Sequence, residues 1–184
     1  MLAASHNISV ILLGAGRPHQ GNIPSSLHRT PDSRLVLDWI IDAFSDHSPE
    51  WNFVGGFHID EIAEKFPKLN YSINSEWQST KTAESLFTAP IREHVLHFVA
   101  YTDIAFSKDV VRKLDQAAGD IVLAVDGTWR NRYEGRTERD IEIAEKLLLR
   151  DGKLLALGSV VTGKDATAEF CGLAKLTPAV IEKI

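Results

Sequence analysis

Sulfur is nearly absent from this chain. Its 184 residues include one cysteine, Cys171, and one methionine. A single thiol excludes a disulfide scaffold and a multi-cysteine zinc site. Long hydrophobic runs are also missing, and none approaches the ~20 residues that a membrane-spanning helix needs. Nor is there an excess of positive charge. Lys and Arg number 20 against 25 Asp and Glu, a net of −5. Broad nucleic-acid binding, which needs a basic footprint, is therefore not expected. A small anion held by a few local cations remains compatible with that balance. Met1 to Asn7 carries no Lys or Arg, and the apolar stretch Ile8 to Leu13 is too short and wrongly flanked for a signal peptide. One thiol and no export signal point to a cytoplasmic protein.

What remains is an ordinary globular composition, 44% apolar and 24% charged, which excludes collagen-like, coiled-coil and mostly disordered chains. The length predicts one domain over residues 1–184. Strand-like and helix-like patterns alternate, as in an α/β layer structure. Buried strands are expected at Ile8–Leu13, at His94–Tyr101, which is the clearest, and at Asp120–Asp126. Shorter strands are expected at Trp51–Val54 and Leu69–Ile73, and a longer one at Ala168–Leu176. A helix capped by Ser33 carries Leu35, Val36, Trp39, Ile40 and Ala43 inward. Further helices are expected at Asp60–Phe66, Thr82–Ala89 and Ser107–Ala117, with a terminal one from Thr177-Pro178. Asp151-Gly152 signals a hairpin between Ala144–Arg150 and Lys153–Leu157. Gly127–Arg139 reads as a polar, basic loop.

Three constellations carry chemistry. Gly14-Ala-Gly16-Arg17 ends the first strand, where open α/β sheets bind ligands. Glycines there let backbone N–H groups approach phosphate oxygens, and Arg17 adds a cationic fork. The dinucleotide fingerprint fails because His19 holds its third glycine position, and no Gly-Lys-Ser/Thr of a P-loop follows. A plain tight turn fits the same residues. Asp103 follows a central strand, where a carboxylate either holds a hard cation or caps a loop. Asp126 stands similarly. Glu169, in an apolar strand, is expected to face solvent. Third, Thr128-Trp-Arg-Asn-Arg-Tyr-Glu-Gly-Arg-Thr137 packs three arginines and two aromatics into ten residues. That suits a phosphate, phosphonate or carboxylate, although a solvated loop would look the same. No histidines have metal-ligand spacing. His94 and His97 fall on opposite sides of a strand, His19 and His28 lie where a ligand is within reach, and Cys171 reads as a small core residue.

Leu13-Gly-Ala-Gly-Arg17 followed by Pro24-Ser-Ser-Leu27 resembles the N-terminal signature of the sugar-phosphate nucleotidyltransferases. Phe53-Val-Gly-Gly56, Thr80 to Ala89, Tyr101-Thr-Asp-Ile104, Asp120 to Asp126 and Ala168-Glu-Phe-Cys-Gly-Leu173 follow in order, so the resemblance covers most of the chain. Together with the Arg130–Arg136 loop they look most like the cytidylyltransferase-like domains found with phosphoenolpyruvate mutase in phosphonate (fosfomycin-type) antibiotic biosynthesis.

The resemblance implies a Rossmann-like nucleotidyltransferase fold, with a mixed, mostly parallel sheet and helices on both faces. It implies a Mg2+-dependent transfer of CMP from CTP to a small phosphonate such as 2-hydroxyethylphosphonate, or to a phosphate. By motif position, Leu13, Gly14, Ala15, Gly16 and Arg17 embrace the triphosphate. Gly55, Gly56 and Ser85 lie near the base, with Thr102 beside the nucleotide. Arg17 and Asp103 serve catalysis, and Asp103 and Glu169 hold the metal. Trp129, Arg130, Arg132 and Arg136 face the acceptor. Two departures stand out. The family places Lys after Pro in the N-terminal loop, whereas Ser25 follows Pro24 here, leaving Arg17, His28 or Arg29 to substitute. Relatives also continue past the terminal helix, so this chain, ending at Ile184, is read as part of a longer protein, with a fused or partner mutase as one association. Alternatives are a nucleotide-binding regulatory domain with weak catalysis and a sugar-1-phosphate nucleotidyltransferase.

Overall fold

The computed structural model describes residues 7–18 and 21–183. Residues 1–6, the ligand role considered for His19, and Ile184 lie outside the described residues. In chain order the elements are β1 (Ile8–Gly14), α1 (Val36–Ala43), β2 (Glu50–Gly55), α2 (Ile59–Lys65), β3 (Asn70–Ile73), α3 (Thr82–Thr88), β4 (Leu96–Tyr101) and α4 (Lys108–Gln116). They continue with β5 (Ile121–Asp126), α5 (Glu138–Ile143), β6 (Lys146–Arg150), β7 (Lys153–Leu157), β8 (Ala168–Leu176) and α6 (Pro178–Ile181). The chain forms two compact units, Met1–Val122 with Gly172–Ile184, and Leu123–Cys171.

In the first unit β3, β2, β1 and β4 lie side by side and parallel. The Leu173–Leu176 end of β8 adds to β4 in the antiparallel sense. Alternation along the strands divides the core between two faces. On one, Ile11, Val54 and Val99 pack with Ala89 after α3 and with Ile181 of α6. On the other, Phe98 meets Phe44 at the end of α1, ring centroids 5.2 Å apart. Helices therefore cover both faces of a mostly parallel sheet. The carboxyl ends of the strands are level: Gly14 pairs with Gly55, Gly55 with Ile73, and Leu13 with Tyr101.

In the second unit β6 pairs antiparallel with β7 and with Ala168–Glu169 of β8. Asp151 (φ 51°) and Gly152 (φ 71°) make the hairpin turn, the paired left-handed conformation that a two-residue hairpin requires. Trp129, Ala144, Val161 and Ala166 form a small core.

Four expectations need correction. Ser33 is not a helix cap. Its φ is 68°, and α1 begins three residues later, where the Asp38 carboxylate accepts the Leu35 N–H. β5 is not a buried strand, for Ile121 is 55% exposed. β4 starts only at Leu96, because His94 takes a left-handed φ of 62°. His94 therefore has no strand face, while His97 is fully buried. Finally, Gly127–Arg139 is not all loop: Trp129–Tyr133 winds into a 3-10 helix and Thr137 caps α5.

Candidate functional site

The level strand ends of the first unit build the candidate site. A cavity of about 320 Å³ is lined by Leu13, Ala15, Gly16, Trp77, Thr80, Lys81, Thr82 and Ser85. Four of these, Leu13, Ala15, Gly16 and Ser85, were expected from sequence. The loop after β1 is tied to the loop after β2 by the Phe57 N–H, which donates to the Ala15 carbonyl at 3.0 Å. The Thr102 hydroxyl, buried at the end of β4, donates to the Leu13 carbonyl at 3.4 Å.

The glycines divide by what surrounds them. A Cβ on Gly14 would lie 2.4 Å from the Phe53 ring and 2.8 Å from Thr102 Oγ1. One on Gly55 would strike Ile59, and one on Gly56 would strike Trp77. These three let the protein pack on itself. Among the described residues nothing lies within 4 Å of the missing Cβ of Gly16, so it alone of these glycines leaves open space for a ligand. Arg17 is exposed, donates to Asn22 Oδ1 at 2.8 Å and stands 5.7 Å over the Phe57 ring. Phe57 in turn meets Trp77 edge-on at 5.6 Å. Neither other proposed substitute for the missing lysine is free: His28 bonds the Ile23 carbonyl, and the Arg29 guanidinium bonds that of Ser33.

Thr80, Lys81 and Thr82 fall within the Thr80–Ala89 segment that carries the resemblance but are not among the site residues it implies, while Trp77 and Asn74 carry no motif that composition or spacing singles out. Asn74 directly follows β3 at its carboxyl end, the position at which ligand-contacting polar groups collect. That location is the signal available in the sequence. Lys81 is exposed, and its ammonium makes no ion pair with any described residue.

Asp103 sits just beyond β4, exposed, with no hydrogen bond to its carboxylate from any described residue. It is open to a hard cation, and Mg2+ is commonly held by one or two carboxylates completed by substrate phosphates and water. Among the described residues no group of three or more His, Cys, Asp or Glu gathers to form a protein-only cage.

In the second unit Glu169 contradicts the expectation that it faces solvent. It is 7% exposed, and its carboxylate accepts from the Arg132 guanidinium and the Tyr133 hydroxyl. Arg132 Nε also pairs with Asp126 at 3.0 Å. Burial first, then the bond to Glu169 and its negative charge, push the Tyr133 hydroxyl up to about 12. The Thr128 hydroxyl, bonded to Asp126, holds that carboxyl below its ordinary range, which is the loop-capping role. Burial pushes the half-buried Cys171 thiol up, so it is not a fully enclosed core residue. Trp129 is 1% exposed and packs in the small core, while also bordering a cavity of about 330 Å³ with Arg130 and Tyr133. Arg130 lies 4.8 Å over the Trp129 ring and donates to the carbonyls of Gly163, Lys164 and Ala166. Arg136 is exposed and stands 5.2 Å over the Tyr133 ring, with no ion pair to a described residue. Of the three loop arginines it is the one left free for an anion.

No protein-family model matches the sequence. The chain is 25% identical over 163 residues to the CTP:phosphoglutamine cytidylyltransferase of Campylobacter jejuni, covering 83% of this chain and 64% of that protein. It thus spans less than two thirds of that relative's length. Among solved structures it superposes on the inositol-1-phosphate CTP transferase of T. maritima with a TM-score of 0.68 and 16% identity, over 97% of this chain and 74% of the other. A Bacillus anthracis protein described as a glucose-1-phosphate thymidylyltransferase, solved with a sucrose, gives a TM-score of 0.66 at 11% identity, over 95% and 73%. These likenesses, with the mostly parallel sheet and its helices, give the chain the Rossmann-like α/β fold of the nucleotidyltransferases.

Proposed function

We propose that the chain transfers a cytidylyl group from CTP to a small phosphate- or phosphonate-bearing acceptor. An ionised acceptor oxygen bonds to the α-phosphorus, the bond from that phosphorus to the bridging oxygen breaks, and pyrophosphate leaves with the electron pair. The observation that carries this reading is the 320 Å³ cavity at level strand ends, with Gly16 and the exposed Lys81 on its wall, the latter without an ion pair among the described residues. The likeness to a CTP-using relative over 83% of the chain supports the nucleotide. A phosphonate acceptor rests on the motif resemblance alone, as does any mutase partner.

The acceptor oxygen is already charged, so no strong base is required. The work falls to positioning and to charge neutralisation. Arg17 and Lys81 would offset phosphate charge, and the Gly16 backbone would approach it without a side chain between. Asp103 would hold Mg2+, and Glu169 is a second candidate carboxylate, engaged by Arg132 and Tyr133. When bound, Mg2+ would offset charge on the triphosphate and the leaving pyrophosphate. Arg136 would meet the acceptor.

The test is pyrophosphate release from each of four NTPs. The acceptors are hydroxyethylphosphonate, aminoethylphosphonate, phosphocholine, a sugar 1-phosphate and a phosphorylated glutamine amide. Turnover with CTP and at least one acceptor is expected, and turnover with none overturns the catalytic reading. One observation favours a second reading, binding without turnover: Ser25 stands where the motif carries lysine. Calorimetric CTP binding in a chain that releases no pyrophosphate would select it.

A further inference from the structure

We propose that Asn74 is a positioning residue that turns the Ser85 hydroxyl into a hydrogen-bond donor toward the cavity, so that the site selects a base edge that accepts. The inference rests on the nucleotide reading above and deepens it.

The orientation of the Asn74 amide is settled by its neighbours. Asn74 is buried, 6% exposed. Its Oδ1 faces the backbone N–H of Glu76 at 3.0 Å, and a backbone N–H only donates, so an oxygen must stand there. Nδ2 therefore faces the other way. It donates to Thr80 Oγ1 at 2.9 Å and to Ser85 Oγ at 3.0 Å. Its own N–H donates to the Gly55 carbonyl at 2.9 Å, which ties the whole arrangement to the end of β2.

Both hydroxyls are thereby engaged through their lone pairs, and each must send its proton elsewhere. Thr80 sends its proton to the Glu76 carbonyl at 2.9 Å. Ser85 has no acceptor among the described residues, yet it is buried and lines the cavity. Its proton is the one left for a ligand. A buried donor without an acceptor is costly, and a ligand that supplies the acceptor removes that cost. Both cytosine and uracil accept at O2, but at N3 cytosine presents an acceptor and uracil a donor, so the discrimination is made at N3. The same hydroxyl that meets cytosine N3 opposes uracil N3–H.

The experiment compares CTP with UTP on the full chain, by calorimetric Kd and by kcat/KM where turnover is found. Asn74→Asp keeps the size but offers only acceptors. Ser85 then donates to the new carboxylate and turns lone pairs toward the ligand. The CTP-to-UTP preference is expected to fall by about tenfold or more. Ser85→Ala is expected to lose the preference, and Asn74→Asp added to Ser85→Ala is expected to change it no further. A merely structural role would weaken both nucleotides in proportion and leave their ratio alone, and that result overturns the proposal. Should Asn74→Asp not fold, a Ser85→Ala chain that keeps the wild-type ratio overturns it equally. A wild-type chain that binds none of the four NTPs overturns the nucleotide reading and this inference together. Nucleotide binding with unchanged ratios overturns this inference alone.

Discussion

A glycine motif that reads as one unit contains residues with opposite jobs. Gly14 is fixed by its own protein, because a Cβ there would overlap Phe53 and Thr102. Gly14→Ala is expected to lower stability by about 1–3 kcal/mol, the usual cost of overpacking, measured as a shift in denaturant midpoint. Gly16→Ala meets no described residue within 4 Å, so its stability should be unchanged while Kd for CTP rises. Equal destabilisation by both would mean that Gly16 also packs. The position of this pair at the end of β1 was legible, because glycine, strand end and parallel sheet are all written locally. Which glycine serves the fold was not, since Phe53 and Thr102 arrive from strands 39 and 88 residues away in the chain. The loop arginines divide likewise. Arg132 is spent on Asp126 and Glu169, and Arg130 on three carbonyls. Arg136→Ala should raise the acceptor KM without lowering Tm, whereas Arg132→Ala should lower Tm. A fall in Tm for Arg136→Ala with an unchanged acceptor KM would assign that residue to structure.

At the scale of elements, β7 and β8 were legible to the residue and β6 to within two, starting at Lys146 rather than Ala144, because Asp-Gly fixes a turn and β8 is largely apolar. β5 was read as buried from the same apolar content, but composition does not say whether another layer covers a strand. The stretch read as a basic loop hides the start of α5. Its signal was present in Thr137-Glu-Arg-Asp140: Asp140 Oδ2 accepts the Thr137 N–H at 2.9 Å, and Thr137 Oγ1 accepts the Asp140 N–H at 3.3 Å. Charge drew attention away from a capping box. Thr137→Ala should cost about 1 kcal/mol, seen in chemical denaturation. The preceding 3-10 helix carries a pH signature. The Tyr133 hydroxyl is pushed up to about 12 in the folded chain, against an ordinary value of 10.0. The folded state therefore keeps the proton that the unfolded state loses first. The stabilisation is complete below pH 10 and declines as pH rises from about 10 toward 12. Tyr133→Phe should flatten that part of the stability curve relative to wild type. An identical slope in both chains would place the cause elsewhere.

The whole molecule poses a question of sign. The net charge is −5, which repels a nucleoside triphosphate at long range, while Arg17 and Lys81 would attract it at contact. Screening decides between them, because charges more than about 8 Å apart are largely masked at physiological salt. Acids beyond that distance from the cavity contribute little, so their repulsion is muted. The cations lining or flanking the cavity act over a few ångströms and lose strength only as salt competes for the phosphates. Raising salt from about 0.05 to 0.5 M should therefore weaken CTP binding, and calorimetric Kd at several salt concentrations measures it. Lys81→Ala should weaken binding at low salt and flatten the dependence, because one contact cation is gone. If long-range repulsion governed instead, CTP would bind more tightly as salt rises. That result would remove Lys81 and Arg17 from the phosphate site and return the acidic balance of the chain to first importance.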